Sequence, residues 1–181
     1  GNIIGLDATG MFEVPNEEGI IIEAGASNNR IGGPGVGRNV IAGNSLSSVV
    51  MFDVGTEGNI VSGNLVGMYA DSSALADPTV YGIGCLNGAA NNYLGEDVPG
   101  GFNRIVGADS TAVYLGNGAN NNAVVNNQIG LLPDGSAPSL VTQVAVYITS
   151  SNNNVIGGVG PLMGNEIAHT VHGIELENNS P

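Results

Sequence analysis

Apolar residues recur along the chain in short groups that alternate with polar or small residues, and Asn and Gly punctuate the gaps. Alternation with a period of two places one set of side chains on one face of a strand. It directs Ile20 and Ile22, Val50 and Phe52, Ile83 and Cys85, Val113 and Leu115, Val146 and Ile148, and Ile174 and Leu176 inward. Ile21, Met51, Gly84, Tyr114, Tyr147 and Glu175 then point outward. No window keeps a helical period, and Gly and Asn are too frequent for helices. Segments of three to five residues are also too short to make stable antiparallel sheets on their own.

The segments repeat. Asn2-Ile3-Ile4-Gly5 returns as Asn64-Leu65-Val66-Gly67 and as Asn127-Gln128-Ile129-Gly130. Asn29-Arg30-Ile31-Gly32 returns as Asn92-Tyr93-Leu94-Gly95 and Asn154-Val155-Ile156-Gly157, and Asn39-Val40-Ile41 as Asn103-Arg104-Ile105 and Asn165-Glu166-Ile167. Three units, about 1–63, 64–126 and 127–181, fill the chain as a single domain. Each unit holds about six strand-like segments, or two coils of three strands. A repeat of this length stacks its units into a solenoid. The reading is all-β: a right-handed parallel β-helix of about six coils, with like residues stacked about 4.8 Å apart.

Stacking places Asn29, Asn59, Asn92, Asn122 and Asn154 in one column and Asn2, Asn39, Asn64, Asn103, Asn127 and Asn165 in another. Stacked amides donate to one neighbour and accept from the other, and Asn tolerates the left-handed geometry of tight turns. Three loops interrupt the pattern at the same place in each unit: Leu6 to Glu18, Met68 to Val80 and Leu131 to Gln143. They are expected on one side of the rod, carrying Asp7, Glu13, Glu17, Glu18, Asp71, Asp77 and Asp134.

The runs Gly1-Asn2-Ile3-Ile4-Gly5-Leu6-Asp7-Ala8-Thr9-Gly10, Asn28-Asn29-Arg30-Ile31-Gly32-Gly33 and Arg38-Asn39-Val40-Ile41-Ala42-Gly43-Asn44 resemble the tandem parallel β-helix repeats of large secreted and cell-surface proteins of bacteria and archaea. The resemblance covers essentially the whole chain. It implies the β-helix fold and an extracellular or cell-surface location. It leaves function open, because such scaffolds host lyases, hydrolases, adhesins and structural modules alike. The Asp-Ala-Thr-Gly run becomes Tyr69-Ala70-Asp71-Ser72 and Leu132-Pro133-Asp134-Gly135 in the later units, so a role tied to it would belong to the first unit alone.

Charge narrows the function classes. The net charge is -13, with three Arg, no Lys and only 10% charged residues. Nucleic acid and anionic membranes call for clustered cations, and Arg30, Arg38 and Arg104 are scattered in sequence. No apolar run reaches the roughly 20 residues of a membrane helix. The single Cys85 excludes an internal disulfide framework and aligns with inward Ile22 and Ile148, as a core residue. The chain begins without Met, which reads as a processed or excised piece.

Candidate chemistry is sparse. Glycoside hydrolysis needs two carboxylates roughly 5–9.5 Å apart across a cleft. The adjacent pairs Glu17-Glu18 and Glu96-Asp97 read as solvated loop acids. A lyase on acidic polysaccharide would need basic groups or a cation to neutralise substrate. Calcium is the cofactor the loop acids would admit, though they lack calcium-loop spacing; no other cofactor or metal is indicated. His169 and His172 read as surface residues. No residue is assigned a catalytic role, and the chain is read as not an enzyme.

Two outward features suggest contact surfaces. Tyr114 and Tyr147 on adjacent coils could stack on sugar rings. Ile3, Val40 and Leu65 form an apolar stripe, either an interface or a surface covered by a nearby loop. The chain opens and closes within a coil without a capping element, although solenoids need caps. The expectation is therefore an extracellular structural or adhesive module, stacking head-to-tail with itself as a filament subunit or continuing into flanking coils of a longer rod. The alternative is a polysaccharide-binding or polysaccharide-cleaving module.

Overall fold

The structure is a computed structural model that describes residues 1–73 and 79–178. Strand β1 (Ile3–Ile4) precedes five coils of three strands. These are β2 (Glu18–Ile22), β3 (Arg30–Gly32) and β4 (Val40–Ile41); β5 (Ser47–Phe52), β6 (Ile60–Ser62) and β7 (Leu65–Val66); β8 (Thr79–Leu86), β9 (Tyr93–Leu94) and β10 (Arg104–Ile105); β11 (Ala108–Gly116), β12 (Ala123–Val124) and β13 (Gln128–Ile129); and β14 (Val144–Thr149), β15 (Val155–Ile156) and β16 (Glu166–Ile167). Strand β17 (His172–Glu177) begins the next coil. The described residues thus hold five complete coils with a partial coil at each end, against about six expected.

Every strand pairs in parallel with its counterparts one coil away. A long sheet runs β2-β5-β8-β11-β14-β17, a middle sheet β3-β6-β9-β12-β15, and a return sheet β1-β4-β7-β10-β13-β16. The three sheets are the three faces of a β-solenoid. Its interior is a set of aliphatic columns that exclude water: Ile22, Met51, Cys85, Leu115 and Ile148; Val49, Ile83, Val113 and Val146; Ile41, Val66, Ile105 and Ile129; and Val61, Leu94 and Val124. Fully burying such a side chain is worth about 1.5–3 kcal/mol, so the stack of columns is the main source of stability.

The sequence-based facing is corrected in one strand. In β5 the inward residues are Val49 and Met51, not Val50 and Phe52, because Val49 pairs with Ile83 and Met51 with Cys85. The run Ser47-Ser48-Val49-Val50-Met51-Phe52 has no apolar–polar alternation, and a one-residue slip exchanges the two faces. Only the neighbouring coils decide it. Ile174 and Leu176 take the inward register opposite Val146 and Ile148, yet they remain 47% and 70% exposed on β17 at the rod's end.

The long strands also bend. Ala112 and Ala145 enter the same core as their neighbours Val113 and Val146, so two consecutive residues face inward. The equivalent positions are Gly19, Ser48, Gly82 and Gly173, all small. A β-carbon on Gly82 would lie 2.5 Å from the Ala112 carbonyl oxygen and 2.7 Å from Ile105 Cγ2, so nothing larger fits without movement.

Candidate functional site

Both predicted asparagine columns exist as hydrogen-bonded ladders. In the first, the Nδ2 groups of Asn29, Asn59 and Asn92 donate to Oδ1 of Asn59, Asn92 and Asn122 at 3.0, 3.0 and 3.2 Å. The Asn122 backbone N–H donates to Asn154 Oδ1 at 2.8 Å. In the second, Asn2, Asn39, Asn64, Asn103 and Asn127 each donate Nδ2 to the next Oδ1 at 2.9–3.1 Å, ending on Asn165. Interior members use a second Nδ2 hydrogen on the preceding coil: Asn59 on Ala26, Asn92 on Thr56, Asn103 on Val61 and Asn127 on Leu94 carbonyls. Each such amide therefore ties three coils together in a dry interior, where an unmet amide is costly.

The left-handed backbone does not fall on the ladder residues themselves. In the first ladder it falls on the residue before each: Asn28, Gly58, Asn91, Asn121 and Asn153, with φ of 56–67°. The turn is made by one Asn and the interior bond by the next, which is why Asn-Asn doublets are so common here.

Both ladders point one way, with side-chain amides donating toward the following coil, except that Asn122 Nδ2 bonds back to the Ala89 carbonyl at 3.1 Å and its backbone N–H makes the forward link. Asn154 Nδ2 breaks the rule, being buried without a hydrogen-bond partner. In the second ladder Asn165 Nδ2 bonds back to the Val124 carbonyl at 2.8 Å.

Tyr114 and Tyr147 lie on adjacent strands as expected, with ring centroids 5.7 Å apart and planes 19° off parallel. Tyr81 extends the stack at 5.2 Å from Tyr114. Sequence comparison misses Tyr81 because its backbone pairs with Thr111, while Gly84 is the residue paired with Tyr114. Burial, then Tyr81, pushes the Tyr114 hydroxyl above its ordinary range. The Glu177 carboxylate accepts from the Tyr147 hydroxyl and raises it too. Tyr114 lies between the other two rings, and Tyr81 and Tyr147 each stack through one face.

The apolar stripe exists in register, Ile3 on Val40 on Leu65. Leu65 is only 3% exposed, packed with Met68 and Val106 and touched by Val40 and Leu132. Val40 also packs against the small cluster of Leu6 and Ala42, as Tyr69 does. The chain's own loops thus cover Leu65 and part of Val40, and Ile3 remains accessible. Below Leu65 the column turns polar, with Arg104, Gln128 and Glu166 linked in series.

The first two loops touch. The Ala70 N–H donates to the Gly10 carbonyl at 3.0 Å and the Tyr69 hydroxyl to Glu13 at 3.2 Å. Asp71 and Asp134 line one shallow hollow with Leu132 and Pro133. Asp77 lies outside the described residues. The loops share more than their sequences suggest: Asp7 accepts from the Thr9 hydroxyl, Asp71 from Ser73 and Asp134 from Ser136, at 2.6–2.7 Å. These hydroxyls, with backbone N–H groups, hold all three carboxyls below the usual range. Among the described residues no three His, Cys, Asp or Glu side chains converge to hold a metal.

The adjacent acid pairs have separate environments. Glu96 meets Arg30 at 2.7 Å and also accepts from Ser62, while Asp97 caps the Leu162 N–H at 3.0 Å. Arg30 first, and Ser62 after it, keep Glu96 ionised to lower pH. Burial, then Glu17 and Glu23, raises the Glu18 carboxyl. His169 and His172 are exposed, and Cys85 is buried with its thiol pushed far up by desolvation.

A second ridge escapes sequence reading. Between the middle and return sheets, residues 33–39, 95–103 and 157–165 bulge from the first, third and fifth coils, while the intervening coils turn tightly. Its cue was the Gly- and Pro-rich stretches at Gly32-Gly33-Pro34, Pro99-Gly100-Gly101 and Gly157-Gly158. The arginines, scattered in sequence, gather at this corner, and Arg38 and Arg104 each place the guanidinium carbon 5.5 Å from the Phe102 ring centroid.

Compared with protein families, curated proteins and solved structures, the chain matches none.

Proposed function

We propose that the chain is a structural module of an extracellular rod, with adhesion or mechanical spacing as its work, extended through its end faces by further coils. One observation carries the reading. Every described interior amide of the first ladder meets an acceptor, but Asn154 Nδ2 is buried without one, where a following coil would supply an Asn Oδ1. The exposed Ile174 and Leu176 lie on the same end and continue core columns. Either further coils of one polypeptide or a head-to-tail copy of the chain would supply that cover. The acidic composition and the β-helix resemblance support the extracellular setting.

The test is a variant carrying a second copy of residues 154–178 after Pro181, which puts the copied Asn154 one coil beyond the original. Added interior coils stabilise solenoids. Covering Ile174 and Leu176 should raise the melting temperature by roughly 5 °C or more. A variant melting at or below the parent would refute coil-on-coil extension, and a micrograph of native material showing compact particles instead of rods of uniform width would refute the structural role.

The polysaccharide reading draws on the Tyr81–Tyr114–Tyr147 stack. A glycan array repeated with Tyr114→Ala and Tyr147→Ala tests it: binding lost in both variants supports it, and no binding by the parent disposes of it.

A further inference from the structure

Two of the three cations in a chain of net charge -13 meet at one aromatic ring. Arg38 leaves the turn before β4 and crosses the following coil, where Gly63 offers no side chain to obstruct it. Its Nε donates to the Gly63 carbonyl at 3.2 Å, and its guanidinium reaches Phe102 on the coil beyond. Arg104, outward on β10, approaches the same ring and donates both Nε and Nη2 to Gln128 Oε1. Both arginines are half-buried.

The two guanidinium groups are poorly neutralised. Among the described residues the only ion pair within 4.0 Å is Arg30–Glu96. Glu166 acts on Arg104 from a distance, and the neighbouring Arg38 charge opposes it. The hydrogen bonds already made use Arg38 Nε and Arg104 Nε and Nη2. Arg38 Nη1 and Nη2 and Arg104 Nη1 make none among the described residues.

We propose that Arg38, Phe102 and Arg104 form a binding site for a single carboxylate group. The two terminal nitrogens of Arg38 are the end of a planar fork that matches two carboxylate oxygens. Arg104 adds a second charge and a further donor. Phe102 holds both side chains through cation–π contact, so little rotamer freedom is left to lose on binding. The ligand is a small acid or an acidic sugar. This site is independent of the rod reading, since it lies on a side corner and not on an end face.

With three arginines and no lysine, the Nε–Hε region of a proton–nitrogen NMR spectrum holds three side-chain signals, one per arginine. Sodium acetate, sodium glucuronate and uncharged glucose are titrated at constant ionic strength. Arg38 and Arg104 are expected to shift together and saturate in the millimolar range with both acids, while Arg30 stays in place. Arg38→Gln should weaken binding about tenfold, as expected for one charged hydrogen-bonded pair, with the Arg30 signal reporting an intact fold. Tighter binding of glucuronate than acetate would identify an acidic sugar; equal binding would identify the carboxylate alone. Equal shifts with glucose, parallel unsaturating drift of all three signals, or no shift at all would overturn the site.

Discussion

Replacing Asn103 by Ala removes the centre of the second ladder and tests whether the amides hold the coils together. Asn103 is fully buried. Its Nδ2 donates to Asn127 Oδ1 at 2.9 Å and to the Val61 carbonyl at 2.8 Å, and its Oδ1 accepts from the Asn64 backbone N–H at 3.1 Å and Asn64 Nδ2 at 3.0 Å. Some partners have alternatives. Asn64 Nδ2 keeps the Ile31 and Ser62 carbonyls, and the Val61 carbonyl keeps the Gly95 N–H. The Asn64 N–H and Asn127 Oδ1 lose the bonds they have. Two bare buried groups at about 1–3 kcal/mol each, with a small cavity, place the loss near 4 kcal/mol. For a chain of this length that is about a 10 °C fall in melting temperature. Urea unfolding followed by far-ultraviolet circular dichroism measures it, with Asn2→Ala as the control. Asn2 is exposed and gives up one side-chain bond to Asn39, so its loss should stay within about 1 kcal/mol. Asn103→Asp turns an oxygen toward two acceptors and should cost more than Ala at neutral pH, recovering partly in acid. If Asn103→Ala lies within about 1 kcal/mol of the parent, or costs no more than Asn2→Ala, the ladder is not a principal source of stability.

The other predictions concern packing, titration and access. Ser48 Oγ is buried without a hydrogen-bond partner, so Ser48→Ala should be neutral or stabilising by up to about 1 kcal/mol, and a clear loss in the same urea assay would contradict that. Gly82→Val, forced against the Ala112 carbonyl and Ile105, should destabilise by about 3 kcal/mol, and near-parent stability would show that the bend tolerates bulk. The lowered Asp7, Asp71 and Asp134 carboxyls contribute stability that is present above their unfolded value of 3.8 and lost as pH falls through their folded values. Carbon-detected NMR titration should place all three midpoints below 3.8, and midpoints at or above it would mean that the Ser and Thr hydroxyls do not hold these turns. Cys85, buried with its thiol raised, should react with a thiol reagent only as fast as the chain unfolds, and rapid labelling of the native protein would place it outside the core.

The sequence disclosed the candidate surfaces unevenly. The asparagine ladders were legible because stacking puts like residues on like, so a periodic chain writes its own contacts. Tyr114 and Tyr147 were legible for the same reason. Tyr81 was not, since its ring reaches the stack from a different register position. The Arg38–Phe102–Arg104 cluster was hidden because unlike residues meet: Arg38 and Phe102 precede equivalent ladder asparagines two coils apart, and the contact is made by a side chain crossing a glycine. The second ridge was hidden because insertions of similar length at equivalent corners have unlike sequences.

The sequence by itself determined that this chain is a parallel β-solenoid, which corners carry asparagine and where the acidic loops leave the rod. Periodic burial forces those answers, since one inward position per coil must match the coils on either side. Only the tertiary structure decided which of two faces the unbroken run in β5 buries, what covers Leu65 and where the cations meet. Each of these depends on a contact between coils about 30 or more residues apart, and a local pattern of apolar and polar residues carries no record of it.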